Sequence, residues 1–130
     1  MGGFVEAIKE MPGFYGLKGV SERSIYEAED ALGLSFSSDY KEYLAHVGMC
    51  SVNGHEIAGL GASERLDVVA MTKEERPNAP FVPDGWYAIE RLGIDGVVAW
   101  QNAAGEVFLS VPSGCEPKKA ADSLLEYLKS

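Results

Sequence analysis

Cysteine and histidine are scarce in this chain of 130 residues, which contains two of each. Cys50 and Cys115 form no C-x-x-C pair, so a structural zinc site of the usual spacing is not expected. A disulfide between them would be unusual in a reducing cytosol, and a chain of this length can bury a core without one. His46 and His55 lack a third ligand at a standard spacing. We therefore expect two separate thiols, no bound metal and no cofactor.

Long apolar runs are also missing. No segment offers the roughly 20 consecutive apolar residues that a membrane-spanning helix needs. Residues 1–9 lack the basic start and apolar stretch of a secretory signal. We therefore expect a cytoplasmic protein that has no contact with the membrane.

Positive charge is in short supply, because eleven Lys and Arg face twenty Asp and Glu, and the net charge is −9. Such a chain repels nucleic-acid phosphates and anionic lipids. It attracts a basic protein and accelerates its association. A net charge also keeps proteins in solution, so charge alone leaves both interpretations open.

Helices are predicted in the first part of the chain. Residues 1–19 form an N-terminal extension with a short helix. Ser21 is a favourable N-cap for a helix over 22–32, and Gly33 is a favourable C-terminal stop because glycine adopts the left-handed conformation at little cost. A further helix is predicted over 37–48 from its apolar spacing.

Strands are predicted in the second part. A hairpin at 51–60 and a short helix at 67–75 precede a loop over 76–85 that contains three prolines. Three strand candidates follow: Trp86–Ile89, Val97–Gln101 and Val107–Val111. A closing helix is predicted over 118–129. This order predicts a single α+β domain over 1–130, with a central, mostly antiparallel sheet packed by N-terminal and C-terminal helices.

Catalytic motifs are absent from the sequence. It contains neither a phosphate-binding glycine pattern nor a G-x-S-x-G elbow. A small hydrolase using Cys50, His55 or Glu29 is a possible alternative. However, Glu29 lies on the apolar face of its predicted helix, where a carboxylate needs structural partners. The closeness of Cys50 and His55 in sequence says nothing about their geometry. We therefore predict a binding protein rather than an enzyme.

Acidic and aromatic residues after the proline-containing loop are the candidate contact surface for a partner. Tryptophan and tyrosine are favoured at interface hot spots, and loops commonly carry binding residues. The predicted partner-binding residues are Asp84, Trp86, Tyr87, Glu90 and Asp95. Trp100, in the middle of a strand candidate, is instead expected in the core.

A family pattern runs through these elements. Residues 21–44 contain S-x-x-x-I-x-x-x-E-x-x-L-G-L followed by D-Y-K-E-Y-L. Later segments read I-x-G-L at 57–60, D-V-V at 67–69, G-I-D-G at 93–96 and S-L-x-E-Y-L at 123–128. In this order and spacing, the segments resemble the Smi/Knr-type branch of the SUKH superfamily of bacterial toxin-immunity proteins. The resemblance spans about 21–129.

The resemblance implies a SUKH-like α+β fold and a role as an immunity protein. Such a protein binds and neutralises a cognate contact-dependent or secreted toxin domain, often a basic nuclease, by covering its active site or a nearby surface. The implied partner is that toxin domain, with the chain as a monomer or weak dimer. The alternative is an intracellular regulatory adaptor of the same fold, which would bind several partners more weakly.

Overall fold

Helices and two small antiparallel sheets make up the computed structural model, which describes residues 3–93, 96–112 and 116–130. The helices are α1 (Gly3–Lys9), α2 (Glu22–Leu32), α3 (Ser38–His46), α4 (Val68–Glu75) and α5 (Leu124–Leu128). The strands are β1 (Tyr15–Gly16), β2 (Cys50–Val52), β3 (His55–Ile57), β4 (Tyr87–Arg91), β5 (Val98–Gln101), β6 (Val107–Ser110) and β7 (Lys118–Ala121). The predicted α+β class is confirmed.

Helices α2 and α3 begin where the capping residues predict. The Ser21 side chain accepts a hydrogen bond from the Ser24 backbone N–H at 3.1 Å. Ser37 caps α3 in the same way, accepting from the Tyr40 N–H at 3.2 Å. Gly33 ends α2 with φ of 67°, the left-handed conformation expected of a terminal glycine. Both helix predictions are therefore confirmed.

The strands form two sheets rather than one central sheet. The first has the order β1-β2-β3 and the second β4-β5-β6-β7, with every neighbouring pair antiparallel. The sheets meet where the Ala58 N–H donates to the Ile89 carbonyl at 2.7 Å. On the same strand, the Ala88 N–H donates to the Thr72 hydroxyl of α4 at 2.9 Å. Strand β4 is therefore enclosed although it lies at the edge of its own sheet.

The C-terminal segment differs from the helix predicted over 118–129. Residues 118–121 pair with β6 as the edge strand β7, and α5 spans only Leu124–Leu128. Ser123 starts α5 by accepting from the Glu126 N–H at 3.1 Å. Lysine and alanine favour helices intrinsically, but pairing with a neighbouring strand outweighs that preference here. The prediction is wrong for the first half of this segment.

Aromatic rings fill the centre of the core. Four buried rings contact one another with centroid distances of 4.7 to 5.4 Å: Phe36, Tyr40, Tyr43 and Tyr87. The Tyr40 hydroxyl donates to the Ala58 carbonyl at 2.7 Å, and the Tyr43 hydroxyl donates to the Ile57 carbonyl at 2.9 Å. Since buried hydroxyls need partners, these bonds fix α3 against the end of β3.

Gly59 allows two backbone segments to touch. A Cβ at this position would lie 1.6 Å from the Gly48 carbonyl oxygen, which the Leu60 N–H already contacts at 2.9 Å. We expect Gly59→Ala to lower the free energy of unfolding, measured in urea, by about 1–3 kcal/mol, because one backbone must move. Gly85→Ala is the matched control, since a Cβ there meets nothing within 4 Å. Equal, small effects of the two substitutions would contradict this close approach.

Candidate functional site

Two of the five predicted partner-binding residues reach the surface in the part of the chain that the structure describes. The Asp84 side chain is fully exposed and Trp86 is half-buried. Tyr87 and Glu90 are only 0% and 4% exposed, so neither forms part of an exposed rim. Asp95 lies outside the described residues. Partner contact through Asp84 and Trp86 remains a prediction.

Tyr87 holds the second sheet against the start of α3. Its hydroxyl accepts from the Ser37 N–H at 3.0 Å and donates to the Gln101 side-chain oxygen at 2.7 Å. Burial raises the pKa of Tyr87, so the hydroxyl stays protonated. The expected surface role of Tyr87 is corrected to a structural one, because β4 is enclosed between β5 and the α4 side of the fold.

A β-bulge places Glu90 inside the protein. Ala88 pairs with Trp100 and Glu90 pairs with Ala99, so Ile89 is the extra residue of β4. A bulge changes the direction of the side chains that follow it. Glu90 consequently points into the space between the two sheets rather than outward, which corrects its expected position on the rim.

Three donors surround the Glu90 carboxylate. They are the His55 ring Nδ1 at 2.9 Å, the Glu56 backbone N–H at 2.8 Å and the Tyr127 hydroxyl. The other ring nitrogen of His55 lies 3.2 Å from the Ser130 carbonyl. Burial, followed by the contact with Glu90, raises the pKa of Tyr127, so its hydroxyl remains a donor. This Glu90 cluster joins both sheets to α5 and the C-terminus.

The residues of the hydrolase alternative do not form a catalytic arrangement. Burial raises the pKa of Cys50 to about 11, whereas a nucleophilic thiol needs a lowered pKa. His55 bonds to Glu90 rather than to this thiol. Glu29 accepts from the Phe36 N–H at 2.9 Å, which is the structural partner that its apolar position predicted. Within the described ranges, no group of three or more His, Cys, Asp or Glu side chains could hold a metal ion.

An aromatic stack lies at the surface of the second sheet. The rings of Trp86 and Phe108 have centroids 4.2 Å apart and an interplanar angle of 21°. Arg76 fixes the loop that leads to Trp86 by donating to the Trp86 carbonyl at 2.9 Å and to the Pro83 carbonyl at 3.3 Å. We call Phe81, Asp84, Trp86 and Phe108 the proline-loop face. Phe81, which is 53% exposed, and Phe108 were absent from the sequence prediction.

A cleft of about 420 Å³ opens beside the proline-loop face. Residues 77–80 form one side, and Val98, Ser110 and Val111 contribute to the other. Arg91 donates to Glu75 at 2.6 Å and to Glu74 at 2.7 Å, so it balances much of the negative charge near the cleft. The lining of the cleft combines polar groups, among them Asn78 and Ser110, with apolar ones.

No helix among the described residues is long and apolar enough to cross a bilayer.

Comparison with known proteins gives one family. The model of the SUKH_5 family, described as SMI1-KNR4 cell-wall, matches residues 1–130. No curated protein matches the chain. The matched range includes the capped helices α2 and α3, the close approach at Gly59, the Glu90 cluster and the proline-loop face.

Proposed function

The chain belongs to the SMI1-KNR4 family SUKH_5 over residues 1–130, and on this premise we propose that it is an immunity protein that binds and neutralises a cognate bacterial toxin domain. The family match over the whole chain carries the proposal. The protein acts in the cytoplasm of the cell that makes it. It performs no catalysis, and it works by covering the toxin's active site or a neighbouring surface.

The acidic balance supports a basic toxin domain of the nuclease type. A net charge of −9 attracts a positively charged protein over a long range and raises its association rate. The same charge disfavours binding of this protein to the toxin's nucleic-acid substrate, because the protein repels phosphates. Binding to such a toxin should weaken as salt screens the charges.

The proline-loop face is our proposed contact surface. It combines exposed aromatic area with the exposed carboxylate of Asp84, which lies 3.9 Å from the Arg76 guanidinium, and the same Arg76 holds the loop in place. Large aromatic side chains that become buried on binding dominate the affinity of many interfaces. In this arrangement Tyr87 and Glu90 stabilise the scaffold behind the face instead of contacting the toxin.

Trp86→Ala is expected to weaken toxin binding by about 30-fold or more, since a central aromatic anchor contributes roughly 2 kcal/mol or more. Calorimetry on the purified proteins would measure the affinity. Tyr15→Ala is the matched control, because Tyr15 is another surface aromatic and is 66% exposed. Asp84→Lys tests the charge, and it also replaces the ion pair of Asp84 with Arg76, 3.9 Å away, by two like charges. Unchanged affinity in both Trp86→Ala and Asp84→Lys would place the toxin on another face.

Growth rescue tests the proposed function itself. The toxic C-terminal domain encoded by the neighbouring open reading frame would be induced in cells with and without this protein. We expect killing in cells with an empty vector and normal growth when this protein is present. Killing that this protein does not relieve would contradict the proposal and favour a regulatory adaptor.

A further inference from the structure

A second surface feature lies away from the proline-loop face, between helices α2 and α3. It is a groove of about 350 Å³ with an apolar floor that includes Ile25. The ring of Tyr26 forms part of its wall and is 68% exposed, although α2 buries Ile25 and Ala28 on its core side. Tyrosine is one of the residue types enriched at interface hot spots, so this exposed ring beside an apolar groove makes the groove a candidate contact site.

The charges around this groove are mainly negative. Glu22, Glu29 and Glu42 line it together with a single cation, Lys41. The Lys41 ammonium lies 3.6 Å from the Glu29 carboxylate, so these two charges balance each other. Arg23, a cation on α2, pairs with Glu27 at 3.4 Å.

The carboxylates of Glu22 and Glu42 are left for another partner. Across residues 3–93, 96–112 and 116–130, neither side chain forms a hydrogen bond or an ion pair. Glu22 is exposed and Glu42 is partly exposed, so both are accessible. The groove therefore offers an apolar floor, an aromatic face and two available acceptors.

We propose that this groove receives an arginine side chain from the basic partner protein. The aliphatic stem of an arginine would lie along Ile25, and its guanidinium would bind Glu22 and Glu42 while stacking on Tyr26. Arginine fits better than lysine because its planar guanidinium both stacks on an aromatic ring and donates to two carboxylates. The identity of the partner as a toxin rests on the proposed function, whereas the arginine site follows from the groove.

A peptide titration tests the groove without the toxin. The probe is acetyl-Gly-Arg-Gly-amide, and the neutral control peptide carries citrulline in place of arginine. In amide NMR spectra of the full chain, we expect the arginine peptide to shift the signals of Tyr26, Glu42 and their neighbours on α2 and α3. The citrulline peptide should shift none of them. Equal shifts with both peptides, or shifts spread over the whole acidic surface, would overturn the proposal.

Paired substitutions separate the site from net charge. The groove pair, Glu22→Gln with Glu42→Gln, removes two carboxylates from the groove. The α1 pair, Glu6→Gln with Glu10→Gln, removes two exposed carboxylates, one within α1 and one directly after it. Each pair contains one residue from a first helical turn, so the effect on helix stability is matched. The groove pair should abolish the peptide shifts, and the α1 pair should preserve them. Peptide shifts that survive in the groove pair would overturn the proposal.

The same variants report on the toxin once growth rescue has identified it. The groove pair should weaken toxin affinity by about tenfold, as expected for the loss of two ion pairs at exposed carboxylates, and the α1 pair by much less. Equal losses in the two pairs would overturn the groove as the toxin's arginine site. If the peptide binds as expected but no toxin does, the proposed function fails while the arginine site stands.

Discussion

Replacing Glu90 with alanine is expected to lower the free energy of unfolding by about 3–5 kcal/mol, a loss typical of removing one partner from a buried charged network. The Glu90 side chain is 5% exposed, so water does not readily replace it. His55, the Glu56 N–H and Tyr127 would each lose their acceptor in the interior. Urea unfolding followed by circular dichroism measures the effect.

Glu90→Gln is the informative companion to this variant. Its side-chain oxygen can still accept from one or two of the donors, so we expect a smaller loss of about 1–3 kcal/mol. A double-mutant cycle with His55→Ala should show a coupling energy above about 0.5 kcal/mol, because the two side chains are in direct contact. Glu90→Ala with near wild-type stability would contradict the structural role of the Glu90 cluster.

Alkaline pH is expected to unfold the protein cooperatively. Burial raises the pKa of Tyr40, Tyr43, Tyr87 and Tyr127, and it raises the pKa of Cys50 to about 11. The native state therefore keeps these protons at a pH where the unfolded chain has begun to lose them. Because the unfolded state then binds fewer protons, stability must fall as pH rises above the unfolded pKa values of roughly 8.5 for cysteine and 10 for tyrosine.

The size of this effect follows from the number of groups. Each group contributes at most about 1.4 kcal/mol per pH unit. The five groups together remove on the order of 4 kcal/mol by pH 10 and 9 kcal/mol by pH 11. Since domains of this size are stable by about 5–15 kcal/mol, unfolding near pH 11 is expected. Below about pH 8 these groups should leave stability unaffected.

Absorbance of tyrosinate, recorded together with circular dichroism, measures this transition. Four of the six tyrosines are buried, so most of the tyrosinate signal should appear only as the helical signal is lost. Tyr26→Phe, which changes an exposed ring, should not move the midpoint. Gradual ionisation of all the tyrosines around pH 10, with the native circular dichroism spectrum retained, would contradict the burial of their hydroxyls.

Local signals made much of the fold predictable. Ser21, Gly33 and Ser37 cap the ends of helices and interact only with residues a few positions away, so the local sequence was sufficient to predict these helix ends. The buried position of Trp100 was also predictable, because it lies in the middle of a β-strand. Its indole N–H donates to Ser110 on the adjacent strand at 2.8 Å.

The other features of the fold depend on interactions between distant segments, so they could not be predicted from the local sequence. Residues 118–121 have the composition of a helix, but their neighbours on β6 make them a strand. The bulge at Ile89 changes the direction of the Glu90 side chain, and no local residue pattern predicts this bulge. The stack of Trp86 on Phe108 joins residues that are far apart in sequence. The exposure of the individual side chains of the candidate site therefore depended on tertiary contacts, and its role as a contact surface stays a prediction.

Titration of the purified toxin domain with this protein is the most direct test of neutralisation by binding. The toxin's catalytic activity is measured at low salt with increasing amounts of the protein. We expect activity to fall linearly and reach zero near one equivalent, with both chains unchanged in mass. Full toxin activity in the presence of a large excess of the protein would contradict neutralisation by occlusion.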